Sequence, residues 1–205
     1  NAIRCVGKYL YEHGIAPKQE LTIETLSGIK KLRLYVENGV VDSVTVDMGP
    51  AELDPKKIPV ALEGDVIIDH PVQIGGREER ITCVSMGNPH CVVFRDNLDT
   101  LDIDKVGPEF EYDPLFPERV NTEFVTVVGE NTIKMRVWER GSGETWACGT
   151  GACAAAVACV LNGYCKKGED ITVLLKGGQL TICYTDETVY MTGECEKVFE
   201  GVVEA

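Results

Sequence analysis

The feature of this 205-residue sequence that most constrains its fold is an internal repeat. The segment that begins at Asn1 aligns without a gap with the segment that begins at Thr150. Gly14 then falls opposite Gly163, and each glycine directly follows a run of helical character. Glycine commonly sits just past the last residue of a helix. Two helices with matched ends are therefore predicted.

The repeat continues beyond these helices. After a one-residue gap, Leu21-Thr22-Ile23 lies opposite Ile171-Thr172-Val173, and Gly28 lies opposite Gly178. Alternating patterns typical of strands follow, at Lys31–Val36 and Thr181–Tyr184. Both copies predict the order helix, turn, strand, glycine turn, strand. We interpret them as a duplicated domain.

Short β-rich runs fill the sequence between the two copies. They are Val44–Val46, Val66–Ile68, Ile81–Val84, Cys91–Phe94, Glu123–Val127 and Ile133–Val137. The predicted fold class is α+β, with two pseudo-symmetric domains, each a mainly antiparallel sheet or barrel associated with one small-residue helix. We assign residues 1–46 and 196–205 to the N-terminal domain and residues 47–195 to the C-terminal domain.

The repeat also predicts what should precede Asn1. Cys148-Gly149 lies immediately before Thr150, so the first copy should have a two-residue counterpart immediately before Asn1. We therefore expect the first domain to be truncated at its N-terminus in this chain.

Charge and hydropathy exclude several classes of function. The formal net charge of −13 argues against a nucleic-acid partner, because phosphates require a basic surface. The longest apolar run, Ala152–Leu161, is far too short to span a bilayer, and no basic-then-apolar signal segment opens the chain. We therefore expect a cytoplasmic protein with no membrane partner.

Nine cysteines are the unusual feature of the composition. An odd number without a signal segment does not indicate a disulfide framework, so reduced thiols in the cytosol are expected. Free cysteines often act as small buried apolar residues. We expect that role for Cys83, Cys159, Cys165 and Cys183.

Cys148 is the exception, because a glycine-rich loop delivers it to the start of a helix of small residues. Backbone N–H groups at a helix start lack partners within the helix, and the macrodipole adds positive charge there. The sequence therefore predicts that this end binds a substrate carboxylate, with Gly149 and Gly151 allowing close approach, and that the pKa of the thiol is lowered. Such a thiolate can abstract a proton α to a carboxylate.

Other interpretations of these cysteines remain open at this point. Cys148 can simply cap a buried helix. A zinc-binding module is disfavoured because no C-x-x-C spacing occurs, and no metal ligands are assigned. A hydrolase that uses Cys148 and His90 would form a covalent acyl intermediate, whereas an enzyme that only moves the α-proton would exchange the α-hydrogen with solvent.

The sequence resembles the diaminopimelate epimerases, and the resemblance covers nearly the whole chain. Four segments carry it: Asn1–Cys5, Met86–Cys91, Arg119–Phe124 and Glu139–Cys153. The resemblance implies two similar domains, each a sheet wrapped around a central helix, with the site in the cleft between them. Ala2 departs from the pattern, because the family commonly has glycine there.

The resemblance also implies roles for individual residues. Cys148 would be one of two catalytic thiols, and the other would belong to the Cys-Gly pair that the family has before Asn1. His90 and Glu139 would support thiol protonation. The residues implied to contact the substrate are Asn1, Asn88, Asn121, Glu139, Arg140, Gly149 and Thr150. Arg140 has a planar fork suited to a carboxylate, and the two internal asparagines can serve an ammonium–carboxylate group.

The function implied is epimerisation of LL-diaminopimelate to meso-diaminopimelate by two thiols without pyridoxal phosphate or any other cofactor, in lysine and peptidoglycan-precursor biosynthesis. By this resemblance the 205-residue chain lacks the first catalytic cysteine and is expected to be inactive alone. The small-molecule substrate is the expected partner, and a homodimer is left open. The alternatives are an amino-acid racemase similar to proline racemases, a phenazine-biosynthesis-like isomerase, and the cysteine-rich metal-binding module.

Overall fold

A computed structural model describes residues 1–199 and 201–202 of the chain, which divides into two compact units. Unit 1 contains Asn1–Asp47 and the chain from Thr192 onward, and unit 2 contains Met48–Met191. The domain bounds expected from the sequence, 1–46 with 196–205 and 47–195, stay a prediction. Of the segment 196–205, residues 200 and 203–205 lie outside the described residues.

Unit 1 combines one helix with an antiparallel sheet. Its elements are α1 (Ala2–Glu12), β1 (Glu20–Thr25), β2 (Gly28–Glu37) and β3 (Val40–Asp47), with β12 (Val189–Glu194) entering it at Thr192. The strands pair in the order β1-β2-β3, and α1 packs on β2 and β3. Gly7 faces this sheet so closely that an added Cβ would lie 2.9 Å from Leu32 Cδ2. The helix therefore depends on a small residue at its contact with the sheet.

Unit 2 contains the other two helices and most of the strands. Its elements in chain order are β4 (His70–Ile74), β5 (Arg77–Ser85), β6 (Pro89–Phe94), α2 (Ile103–Glu111), β7 (Asn121–Gly129), β8 (Thr132–Glu139), β9 (Gly143–Thr145), α3 (Gly149–Leu161), β10 (Asp170–Leu175) and β11 (Gly178–Tyr184). The strand order is β11-β10-β8-β7-β6-β5-β4, and β9 pairs with β8. The pairs β6–β7 and β8–β10 are parallel, and the other pairs of this unit are antiparallel. The expected α+β class with mainly antiparallel sheets is confirmed.

Helix α3 lies at the centre of unit 2. Every residue from Gly151 to Cys159 is buried, and none of them is larger than valine. The helix contacts strands β5, β6, β7, β8, β10 and β11. Small side chains allow the helix backbone to approach several strands at once, which is why a sequence of Ala, Cys and Val forms a buried helix here.

A second apolar cluster holds α2 against the sheet. Phe110 of α2 meets Phe124 of β7 edge to face, with the ring centroids 5.6 Å apart. Gly107 lets Trp138 approach closely, since an added Cβ would lie 2.3 Å from that indole. These contacts anchor the end of β8, from which the loop before α3 departs.

The predicted repeat is present in the structure. In β1–β2, Thr25 pairs with Gly28, and in β10–β11, Leu175 pairs with Gly178. Gly14 and Gly163 follow their helices with φ of +67° and +77°. Positive φ is the conformation that glycine adopts without strain, so the matched glycines mark matched chain reversals.

Two local predictions differ from the structure. Val66–Ile68 does not form a strand, although Ile67 is buried and its carbonyl accepts a hydrogen bond from the Cys83 N–H. Positive φ at Gly64 and Asp69 turns the chain on both sides of this segment. The sequence also gave no indication of α2, because Gly107 and Pro108 interrupt its helical pattern.

All nine cysteines lie in the described part of the chain as free thiols. Cys83, Cys159 and Cys165 are buried and Cys183 is partly buried, in agreement with the structural role expected for them. Among the described residues, no helix combines the length and the apolar character that crossing a bilayer requires.

Candidate active site

Cys148 is the residue at which helix α3 begins. It is the N-cap, with extended backbone angles, and its carbonyl accepts the first helical hydrogen bond, from the Ala152 N–H at 2.9 Å. The Gly151 N–H donates to Cys148 Sγ at 3.4 Å, and Thr150 Oγ1 lies 3.6 Å from the sulfur. The thiol therefore has two polar neighbours that can stabilise negative charge on it.

The expectation that the helix start lowers the pKa of Cys148 is wrong for this structure. Burial raises the pKa of this thiol to about 12, and the nearby carboxylates of Glu123 and Glu139 act in the same direction. The hydrogen bonds from Thr150 and Gly151 oppose the rise but do not outweigh it. Cys148 therefore carries its proton at neutral pH in the described conformation.

His90 and Asn88 lie on the other side of Thr150. His90 is the second residue of β6 and is completely buried. Its Nε2 lies 3.0 Å from Asn88 Oδ1, while Asn88 Nδ2 donates to Thr150 Oγ1 at 3.3 Å. These contacts link the histidine to the hydroxyl beside Cys148.

Glu123 completes this series of contacts and was not recognised from the sequence. It lies in β7, which pairs with β6 in parallel, and its Oε1 lies 2.8 Å from His90 Nδ1. Both side chains are completely buried. Burial raises the pKa of Glu123, and the negative charge of Glu139 adds to the rise, whereas the contact with His90 opposes it.

Asn121 connects β7 to the loop that carries Arg140. Its Nδ2 donates to the Pro89 carbonyl at 2.9 Å, and its Oδ1 accepts from the Arg140 N–H at 3.1 Å. The Arg140 guanidinium donates to the Glu118 carbonyl at 2.9 Å. Within the described residues Arg140 forms no salt bridge, so its charge is not neutralised by a side chain of this chain.

Glu139 ends β8, and its Oε1 accepts a hydrogen bond from the Thr145 hydroxyl of β9. Glu111, at the end of α2, supports the same loop from beneath. Its Oε1 accepts from the Gly141 N–H at 2.8 Å, and its Oε2 accepts from Trp138 Nε1 at 2.7 Å. A buried carboxylate thus determines where the Glu139–Gly141 turn lies.

The structure brings most of the predicted site residues together in unit 2. His90, Asn88, Thr150 and Cys148 form one series of contacts, and Asn121 and Arg140 form a second. Gly149 is packed against Met191, whose Sδ would lie 3.1 Å from an added Cβ. Asn1 belongs to unit 1, where it is exposed and is the N-cap of α1.

Glu111 and Glu123 are the two functional candidates that sequence reasoning missed. A usable signal was present for Glu123, since it is the one acidic residue of the segment that becomes β7 and directly precedes the apolar part of that strand. Its partner could not be identified, however, because the sequence does not specify that β6 and β7 pair in parallel.

Comparison with known proteins places these residues in a family. The family model described as diaminopimelate epimerase matches residues 82–198, more than half of the chain. The diaminopimelate epimerase of Desulfovibrio desulfuricans is 54% identical over 209 residues, which cover 98% of this chain and 72% of that protein. That of Acetivibrio thermocellus is 52% identical over 206 residues, which cover 100% of this chain and 73% of that protein.

Solved structures show the same fold at low identity. A hydroxyproline epimerase from Agrobacterium vitis has a TM-score of 0.68 and 18% identity, over 93% of this chain and 61% of that chain. A probable proline racemase from Agrobacterium radiobacter K84 has a TM-score of 0.70 and 15% identity, over 93% of this chain and 63% of that chain. At about 50% identity to the curated relatives, this chain belongs to the diaminopimelate epimerase family.

Proposed function

We propose that a protein carrying this chain epimerises LL-diaminopimelate to meso-diaminopimelate without pyridoxal phosphate, and that Cys148 is one of the two thiols that move the α-proton. The observation that carries the proposal is the position of Cys148 at the start of α3, with the Thr150 hydroxyl and the Gly151 N–H beside its sulfur. Family membership supplies the substrate and the reaction.

The proton balance of the reaction is simple. A thiolate takes the α-proton, the C–H electron pair remains on the substrate and spreads into its carboxylate, and a thiol on the opposite face gives its proton to the carbon. Because Cys148 is protonated in the described conformation, it is prepared to act as the acid. Its action as the base requires the substrate to bring positive charge or additional hydrogen-bond donors to the sulfur.

Substrate recognition is assigned to the loop beside this helix start. Arg140 would hold a carboxylate through its planar guanidinium, and Asn88 and Asn121 would contribute amide groups. Both amides already form hydrogen bonds within the chain, which hold them in fixed orientations. A small dibasic and diacidic amino acid matches such a set of donors and acceptors. His90 and Glu139 would assist the protonation of the thiol.

Exchange of the α-hydrogen in D₂O tests the assignment. A protein carrying this chain is incubated with diaminopimelate in D₂O, and deuterium at the α-carbon and its configuration are measured by NMR and chiral chromatography. The Cys148→Ala variant should exchange about 10²–10⁴-fold more slowly, the range expected for loss of a general acid–base group. Cys159→Ala, a buried cysteine of the same helix, is the matched control and should behave like the parent protein.

Unchanged exchange by Cys148→Ala would remove this thiol from the mechanism. Faster exchange of proline or hydroxyproline than of diaminopimelate would favour the racemase alternative instead. Nothing in the comparisons supports a cysteine-rich metal-binding module, since the matched curated relatives are epimerases. We also propose a cytoplasmic location, because the reaction needs reduced thiols, and a homodimer stays a prediction for sedimentation analysis.

A further inference from the structure

The buried contact between Glu123 and His90 has no assigned role. The positions of the imidazole hydrogens decide what this contact can do. Both ring nitrogens of His90 face oxygen atoms: Nδ1 faces Glu123 Oε1 at 2.8 Å and Nε2 faces Asn88 Oδ1 at 3.0 Å. An amide oxygen only accepts hydrogen bonds, so Nε2 must carry a hydrogen. The contact with Glu123 requires another hydrogen between Nδ1 and Oε1.

The pair of side chains is therefore electrically neutral as a unit. Whether the proton of the Nδ1–Oε1 contact rests on the nitrogen or on the oxygen, the charges of His90 and Glu123 cancel. An isolated buried charge would be costly, and both side chains are completely buried. The contacts therefore require one hydrogen on Nε2 and one hydrogen shared between Nδ1 and Glu123 Oε1.

The hydrogen-bond directions continue from His90 to the sulfur. Since Asn88 Oδ1 is committed to His90, Asn88 Nδ2 points toward Thr150 Oγ1 and donates to it at 3.3 Å. Thr150 Oγ1 then acts as the acceptor, and its own hydrogen is left for Cys148 Sγ at 3.6 Å.

Close packing keeps Glu123 in this position. A Cβ added to Gly151 would lie 2.6 Å from Glu123 Oε1, so the carboxyl group lies directly against the first turn of α3. Among the described residues, Glu123 Oε2 has no hydrogen-bond partner. A buried carboxyl oxygen without a hydrogen-bond partner costs free energy. Packing alone therefore gives no reason for an acidic residue at this position.

We propose that Glu123 is a positioning residue for Cys148, acting through His90. By sharing a proton with Nδ1 of His90 it keeps the other hydrogen on Nε2, which then donates to Asn88. That state fixes the amide of Asn88 and makes the Thr150 hydroxyl a donor to the sulfur. This inference rests on the proposed role of Cys148 as a proton-transferring thiol.

The first experiment observes His90 directly and needs no activity. With ¹⁵N-labelled histidine, Nε2 of His90 should give the signal of a nitrogen that carries a hydrogen. His13 and His70, the other two histidines of the chain, supply internal reference signals in the same spectrum. A single bare Nε2 signal from His90 in the native protein would overturn the proposal without any variant.

The second experiment measures the effect on Cys148. Glu123→Gln should slow alkylation of Cys148, read by peptide mass spectrometry, about tenfold. Burial and the charge of Glu123 both raise the pKa of this thiol, but the loss of the hydrogen bonds that run through His90 to Thr150 should outweigh the loss of that charge, because charge-assisted hydrogen bonds are roughly twice as strong as neutral ones. The His90 Nδ1 signal should become that of an unprotonated nitrogen in this variant. Glu79→Gln is the matched control, since Glu79 is a buried carboxyl of the same unit that pairs with Arg95 at 2.7 Å. It should change neither readout.

A double-mutant cycle separates positioning from a direct charge effect. If Glu123 acts through His90, then Glu123→Gln should have no further effect on Cys148 alkylation in a His90→Gln background. If Glu123 acts only by its own charge, removing that charge should speed alkylation in both backgrounds, and the proposal fails. Because these readouts do not use the epimerase reaction, their failure is distinguishable from failure of the proposed function.

Discussion

At the scale of single residues, the burial of Cys148 outweighs its position at a helix start. The thiol is 7% exposed, and its pKa is raised to about 12. In the absence of substrate, its alkylation rate should keep rising with pH through about pH 9, without the plateau that a lowered pKa would give near neutrality. Mass spectrometry of the peptide containing Cys148 across this pH range measures the profile.

The same shift has a consequence for stability, with a definite sign. A thiol whose pKa is raised in the folded state favours folding below its unfolded-state pKa, and this contribution is lost as the pH rises toward the folded-state value. Stability should therefore fall above about pH 9, and less steeply in Cys148→Ala. In the alkylation experiment, a plateau of the rate near neutral pH would instead show that the positive charge of the helix start outweighs burial in setting the pKa of Cys148.

That several residues of the candidate site lie close together was predictable, but their protonation states were not. The sequence identified Cys148, His90 and Asn88 through segments shared with the family, and the structure places them in one series of contacts. It could not predict the direction of the Cys148 pKa shift, because that depends on burial and on the distance to Glu123. Both quantities depend on tertiary contacts.

At the scale of elements, Glu111 of α2 supports the loop that carries Arg140. Glu111→Gln replaces one acceptor oxygen by an amide nitrogen, which cannot accept from both Gly141 N–H and Trp138 Nε1. We expect a loss of about 1.5–3 kcal/mol in the free energy of unfolding, the usual value for a hydrogen bond to a charged group. Urea unfolding followed by tryptophan fluorescence measures it.

The matched control for this variant is Glu109→Gln, on the same helix. Glu109 is partly exposed and pairs with Arg77, and such surface pairs contribute at most about 1 kcal/mol. In the proposed enzyme, Glu111→Gln should also raise KM, because the Arg140 loop is less firmly held. Equal destabilisation by both variants would show that Glu111 has no special role.

Strand prediction succeeded for β-rich runs that continue in extended conformation and failed where turns flank the run on both sides. The runs Ile81–Val84 and Ile133–Val137 lie within β5 and β8. Val66–Ile68 has the same apolar character, yet positive φ at both of its flanks prevents a ladder. Helix α2 was not predicted because its stability comes from packing of Phe110 on Phe124, not from local propensity.

At the scale of the whole molecule, the two repeat copies have different local environments. The hairpins β1–β2 and β10–β11 share one register, but β10 alternates fully buried residues, Ile171 and Val173, where β1 has Leu21 buried and Ile23 only partly buried. Backbone amides of β10 and β11 should therefore exchange more slowly than their counterparts in β1 and β2. Hydrogen exchange of the 205-residue chain, followed by mass spectrometry, compares them directly.

This comparison has an internal control, because register and turn length are the same in both hairpins. Equal protection would mean that local hairpin structure, not burial, sets the opening free energy. The duplication itself was predictable from matched glycines, since chain reversals leave a mark in the sequence. The different burial of the two copies was not, because it depends on which other strands surround each hairpin.

The small residues of the buried part of α3, Gly151 to Cys159, limit how this helix can change over evolutionary time. Nine consecutive buried residues no larger than valine leave no volume for the side chains that most point mutations would introduce. Descendants of this gene should therefore accumulate changes at residues 151–159 only among glycine, alanine, serine, cysteine and valine. The segment that follows Cys148 would then diverge slowly for reasons of volume, even at codons whose residues never meet the substrate.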